Sequence, residues 1–412
     1  MKHVKDSQLV RPHWRGGPLA AWLDEFADRV NAQGYAPRTA RGKVLLAARF
    51  SQWLEQEEIG GADVTPDHTD RYLRYRRQRL RPCNGDRHAL RQFTDFLRQE
   101  GVLSFEDAPA GPMTDAERCV QAYELHLRQT RGLAPASIAT YLPFVRNFLR
   151  HRFDSGSVAL SSLSADDVVR FVQNKVPEMS PKRAKLLVTA LRSFLRYACH
   201  LGEAGPELVA AVPVVASWSM PQIPRGISPD QVSKLLAGID RGSATGRRDH
   251  AILMLLARLG LRASEIRFLE LDDIDWTSGT LRLRAKGGRR KAFPLSEEVG
   301  EAIADYLRHG RPPCPSRRVF LRARAPIEGF RGSNGICCIV RRAIKRAGVI
   351  APTCGAHQFR HGLATEMLNG GASLGEIGDV LGHSHPDTTR IYAKVDLESL
   401  RPLTLPWPGG AR

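Results

Sequence analysis

The feature that most restricts how this chain can fold is an internal repeat. Gly34-Tyr35-Ala36-Pro37, set before an apolar helical run, returns 98 residues later as Gly132-Leu133-Ala134-Pro135. Val64-Thr65-Pro66-Asp67 returns as Leu163-Ser164-Ala165-Asp166 at an offset of 99. Ala89-Leu90-Arg91-Gln92-Phe93 returns as Ala190-Leu191-Arg192-Ser193-Phe194 at 101. Three matches in order, at nearly constant spacing, predict a duplicated four-helix module with copies at about 17–104 and 115–204. Helical periodicity supports this. Leu19, Trp22, Leu23, Phe26 and Val30 fall on one face of 18–31, a second run ends at Phe50–Glu57, and further helices are predicted near 67–79 and 87–99.

Prolines 206, 213, 221 and 224 mark 206–227 as a linker. Ser228, Pro229 and Gln231 then form an N-cap, a first helical residue and a capping-box partner, so a new domain opens at 228. Helices are predicted at 229–238, 247–259, 263–269, 297–308, 335–347, 357–369, 373–381 and 386–394. Thr280–Arg284 and Arg290–Pro294 read as two strands around a glycine-rich turn. The domain plan is 1–110, 111–205, the linker 206–227, and 228–412 with a short tail, mainly α with a small β-sheet.

Charge narrows the partners. Against 43 acidic residues stand 61 Lys and Arg, a net +18, divided as +11 from residue 225 onward and +7 before it. That balance excludes an acidic solvating protein and points to a polyanion, with nucleic acid first. Two basic lobes on a linker could close around a duplex, with strongly salt-dependent affinity. Seven cysteines without a C-x-x-C pair suggest neither a disulfide framework nor a zinc knuckle, and a reducing cytoplasm fits them. No apolar run is long enough to span a membrane, and the N-terminus lacks a signal-peptide core.

Several short segments carry chemistry in combination. They are Leu259-Gly260-Leu261-Arg262-Ala263-Ser264-Glu265, the hairpin run Arg284–Lys291 with Lys286 at its tip, His357-Gln358-Phe359-Arg360-His361, Leu381-Gly382-His383, and Thr388-Thr389-Arg390-Ile391-Tyr392. His357 and Arg360 share a helical face. The His357–His361 spacing could suggest a metal pair, but no adjacent Glu or C-x-x-C completes a site, so no metal is expected.

Taken in order, these motifs resemble the tyrosine recombinases, or phage integrase family, across about 228–395. The module at 115–204 looks like that family's SAM-like core-binding domain. The copy at 17–104 is a departure, since many members have only one. Phe359 stands where the family often has leucine, a conservative apolar change.

The resemblance implies a role for each residue. Arg262, Lys286, His357, Arg360 and His383 would be catalytic, Tyr392 the nucleophile, and Glu265 the buttress of Arg262. Arg284, Arg289, Arg290 and Lys291 would touch DNA phosphate. The implied reaction is attack of Tyr392 on a DNA phosphodiester, giving a 3′-phosphotyrosine and a free 5′-hydroxyl. His357 is the expected proton acceptor and Lys286 the expected acid. Arg262 and Arg360 would present forked donors to the equatorial oxygens, joined by His383. The phosphodiester energy is retained in the adduct, so no cofactor is expected.

The implied partners are double-stranded DNA with an inverted-repeat core site and a homotetramer in synapsis, alone or with a related recombinase. A mobile-element integrase or transposase is the first reading. A catalytically silent accessory factor and a type IB topoisomerase-like enzyme are the competing ones. Arg71, Arg74, Arg76, Arg77 and Arg79 suggest that the extra module binds DNA. Asp396–Leu400, with Leu403, Leu405 and Trp407, could form a C-terminal docking segment.

Overall fold

A computed structural model describes residues 14–81, 85–103, 113–154, 156–215, 226–284, 290–383 and 388–395. The chain divides into two compact units, Met1–Ser104 with Gln222–Arg412, and Phe105–Pro221. It is mostly helical with one small antiparallel sheet.

The first unit begins with a short 3-10 turn, Ala20–Trp22, where a continuous helix over 18–31 was expected. Helices α1 (Leu23–Ala32), α2 (Pro37–Gln56), α3 (Pro66–Arg79) and α4 (Asp86–Gln99) follow. Their apolar stripes close on a core containing Phe26, Phe50, Phe93 and Leu97. Phe26 and Phe93 rings meet at 4.8 Å, tilted by 58°, a favourable offset arrangement.

A buried serine fastens the entry to this core. Ser51 Oγ donates to the Gly16 carbonyl (2.9 Å) and accepts from the Leu19 amide (3.0 Å). Gly17 sits beside it at φ +86°, where a Cβ would fall 2.1 Å from the Ser51 carbonyl oxygen. Ser51→Ala strands a buried amide and a carbonyl. Thermal denaturation should show a loss of about 1–3 kcal/mol.

Three of the arginines expected to reach DNA are engaged within the module. Arg71 pairs with Glu57 (2.7 Å), Arg74 with Asp67 (3.8 Å) and Arg76 with Asp86 (3.0 Å), while Arg79 lies 4.1 Å over the Tyr75 ring. The module also joins the later part of its own unit. The Ile327 amide donates to the Gln33 carbonyl (2.9 Å), and Gly34 faces Ile327 so closely that a Cβ would lie 2.6 Å from its side chain.

The second unit holds α5 (Asp115–Gln129), α6 (Pro135–Phe153), α7 (Ala165–Lys175), α8 (Pro181–His200) and α9 (Pro206–Ala211) around Tyr123, Phe148, Phe171 and Phe194. Phe148 and Phe194 stand 98 and 101 residues after the equally buried Phe50 and Phe93. The linker reading of 206–227 is corrected at its start. Pro206 opens a helical turn, and Leu208 and Val212 are buried in this core, because proline is pre-set for a first helical position. Residues 216–225 lie outside the described residues.

From 226 the first unit resumes with α10 (Pro229–Ala237), opened by the expected Ser228–Gln231 capping box. Helix α11 (Ala244–Arg258) is buried on nearly all sides and forms the centre of the core. Around it lie α12 (Ala263–Phe268), α13 (Glu297–His309) and α14 (Asn334–Ala347). Strands β1 (Ile274–Asp275), β2 (Thr280–Arg284) and β3 (Arg290–Pro294) pair antiparallel in that order, with Leu281 opposite Phe293. Helices α15 (His357–Asn369) and α16 (Leu374–Leu381) complete the unit with a 3-10 segment, Arg390–Val395. The helix expected over 386–394 is therefore a tighter 3-10 turn in its described part, while 384–387 lie outside the described residues. The proposed C-terminal docking segment from Asp396 onward lies outside them as well. No described helix is long and apolar enough to cross a membrane.

Candidate active site

Two arginines and a left-handed glycine form the base of the site. Gly260 has φ +58°, a conformation that favours glycine, and a Cβ there would press on the side-chain ends of Leu381 (2.8 Å) and Leu363 (3.1 Å). The turn it makes delivers Arg262 to the N-cap of α12. Glu265 reaches back to the Arg262 amide (2.7 Å) and its other oxygen accepts from Arg262 Nη1 (2.8 Å). The buttressing role expected of Glu265 thus has a direct geometry.

Arg360, on the first turn of α15, is only 7% exposed. Its Nη1 donates to the Gly260 carbonyl (2.9 Å) and its Nη2 to the Leu381 carbonyl (2.6 Å). It therefore joins the loop that carries Arg262 to the end of α16, which leads through left-handed Gly382 to His383. A guanidinium has five N–H donors, so three remain for a ligand. Burial, and then the neighbouring charge of Arg262, lower its pKa to about 10. It stays charged at neutral pH, beside a second arginine and near a single carboxylate. Such a cluster favours an anion.

Tyr392 projects into this cluster and is 1% exposed. Burial raises its pKa, opposed by the positive charges of Arg360 and Arg262. Its ring is 6.5 Å from His383 and nearly parallel to it, at 6°. His383 shares a 2.6 Å hydrogen bond between Nδ1 and Thr389 Oγ1, which ties the L-G-H segment to the T-T-x-I-Y segment. His361 Nδ1 lies 3.0 Å from the Tyr392 hydroxyl. His357, expected to accept that proton, is exposed, and no hydrogen bond joins it to Tyr392 among the described residues.

Lys286 and Arg289 lie outside the described residues, as do the side chains of Arg284 and Arg290. Lys291 is directed to the protein itself, donating to the Asp379 carbonyl and lying 5.6 Å over the Phe293 ring. Among the described residues no three His, Cys, Asp or Glu side chains are placed to hold a metal ion.

His383 gives the site a pH signature. Burial, then the charges of Arg360, Arg262, His361 and Lys291, push its pKa down to about 4 from 6.5. The unfolded chain therefore binds this proton between those values while the folded chain does not, and stability falls as pH drops from about 6.5 toward 4. In acid titrations followed by thermal melting, His383→Asn should flatten that window.

The chain belongs to the phage integrase family, the tyrosine recombinases, which are DNA strand-transferring enzymes, and it places a buried tyrosine among two arginines and histidines. The pattern of that family matches residues 225–398, and that of the phage integrase N-terminal SAM-like domain matches 120–202. Among its relatives, y4rA of Sinorhizobium fredii, named as a candidate integrase/recombinase, is 53% identical over 412 residues and the full length of both chains. The tyrosine recombinase XerD of Mycobacterium tuberculosis is 31% identical over 70% of this chain and 96% of its own. The fold is shared with XerH site-specific recombinase bound to palindromic difH substrate (TM-score 0.55, 18% identity, 81% of this chain and 93% of that one). It is shared also with a lambda integrase tetramer bound to a Holliday junction (TM-score 0.50, 18% identity, 72% and 87%).

Proposed function

We propose that this recombinase cuts and rejoins DNA through a 3′-phosphotyrosine formed on Tyr392, in the service of a mobile element. One observation carries the reading: the Tyr392 hydroxyl is buried where the charges of Arg360 and Arg262 both act on it. A phenol of pKa near 10 attacks phosphorus effectively only with its proton removed and the developing charge on the phosphate oxygens stabilised. Arg262 and Arg360 bind the non-bridging oxygens, with His357 and His383 adding hydrogen bonds. Lys286 protonates the departing 5′-oxygen, and Arg284, Arg289 and Arg290 hold the neighbouring phosphates.

In this reading 111–205 is the core-binding domain, 228–412 the catalytic domain and 1–110 an additional helical module. The chain works in the cytoplasm on a duplex core site with inverted repeats, as a tetramer across two sites. The palindromic substrate of XerH and the tetrameric junction complex of lambda integrase support the partner assignment, and the name of y4rA supports the integrase role.

The test is covalent trapping on a nicked suicide substrate drawn from the ends of the chain's own genetic element. The expected product is an adduct that maps to Tyr392 at a 3′-phosphate. Tight, specific binding without any adduct would favour an accessory factor instead.

A further inference from the structure

The Tyr392 hydroxyl has a partner that the roles above leave idle. His361 Nδ1 stands 3.0 Å from it, with the two rings edge to face at 5.7 Å. His357 lies one turn earlier on the same helix, its ring 5.8 Å from that of His361, on the exposed side. Helix α15 thus offers two histidines, of which the inner one touches the reacting oxygen.

His361 is suited to receive a proton. Charged and titratable groups face it from each side: His357 and Arg360 on its own helix, Tyr392 on the 3-10 segment and His383 beyond it. Burial, then the charges of His357 and Arg360, hold its imidazole below the usual histidine range. It is therefore neutral at pH 7 and keeps a ring lone pair. Its position is fixed, because it follows Arg360, whose guanidinium is anchored on two carbonyls.

We infer that His361 accepts the phenolic proton of Tyr392 during attack on the scissile phosphate. The Oη–H bond breaks with its proton passing to His361 Nδ1, the Oη–P bond forms, and the P–O5′ bond breaks. The 5′-oxygen takes its proton from a separate acid, Lys286 in the reading above. The tautomer required carries its hydrogen on Nε2. His357 is then left to donate to a phosphate oxygen. This assignment rests on the phosphotyrosine reading.

The experiment measures single-turnover adduct formation by the full chain between pH 5 and 8. The suicide duplex carries a 5′-bridging phosphorothiolate, whose thiolate leaves without an acid, so proton removal from the nucleophile is isolated. The wild-type rate should fall as pH drops through the His361 pKa, below 6.5. His361→Gln should be on the order of 100-fold slower at pH 7, with that acidic limb absent and DNA affinity unchanged. His361→Ala should regain rate with added imidazole, while His357→Gln should keep the acidic limb.

His361→Gln within threefold of wild type, or a slow variant whose acidic limb persists, overturns the assignment. A wild-type chain that makes no adduct on this substrate overturns the phosphotyrosine reading, and this one with it. A wild type that cuts beside an equally active His361→Gln removes only the base.

Discussion

Tyr392→Phe should bind its DNA site as tightly as wild type and yield no covalent adduct, a loss on the order of 10⁴-fold or more in strand cleavage. The change removes one atom. Phenylalanine fills the same volume in the small cluster formed with Ala364, Ile377 and Leu381, so packing survives. What disappears is the oxygen held 3.0 Å from His361. The variant keeps the ring and every arginine and lysine, so filter-binding affinity and its salt slope should not move. An adduct persisting in the variant, resolved by denaturing electrophoresis, would reject Tyr392 as the nucleophile.

Arg360→Ala should combine two losses. In the proposed mechanism the catalytic one is a pre-organised donor fork for the phosphate oxygens, and single-turnover cleavage should fall by roughly 10²–10³-fold. The structural one is separate. The Gly260 and Leu381 carbonyls both lose their donor in a buried setting, which should cost about 2–4 kcal/mol in denaturant unfolding. Arg360→Lys separates the two. A lysine keeps a charge but cannot reach both carbonyls while presenting a fork. It should recover part of the stability and little of the activity. Equal recovery of both would show that charge alone matters at this position.

Much of this molecule is written locally. Strands Thr280–Arg284 and Arg290–Pro294 have the bounds that their alternation and glycine-rich turn predict. The start of α10 is where serine, proline and glutamine place it. Arg262, Glu265, Arg360, His383 and Tyr392 are brought together as their motifs imply.

What stayed hidden depends on packing between distant segments. The spacing of His357 and His361 says that they share a helix. Only the lie of the 3-10 segment against α15 says which of them meets the tyrosine. The Gln33–Ile327 hydrogen bond is likewise invisible to periodicity. The partners of Arg71, Arg74 and Arg76 were not foreseen, because a run of arginines on a helix reads as free charge until the carboxylates across from it are known. Pro206 misled for the opposite reason, since a proline signals a break and a helix start equally well.

The point where the chain re-enters the catalytic region sets a rule for exchange between relatives. Gly226 lies against Gly362 of α15, so close that a Cβ on the first would sit 2.3 Å from the backbone nitrogen of the second. A Cβ on Gly362 would in turn fall 2.3 Å from the Ile227 carbonyl oxygen, and the Ile227 amide donates to the Gln358 carbonyl (3.2 Å). Linker end and catalytic helix therefore form one matched backbone joint. A chimera that takes its linker from one recombinase and its catalytic region from another inherits half of that joint from each parent. Crossovers placed before Gly226 should give folded, active hybrids more often than crossovers between Gly226 and α15.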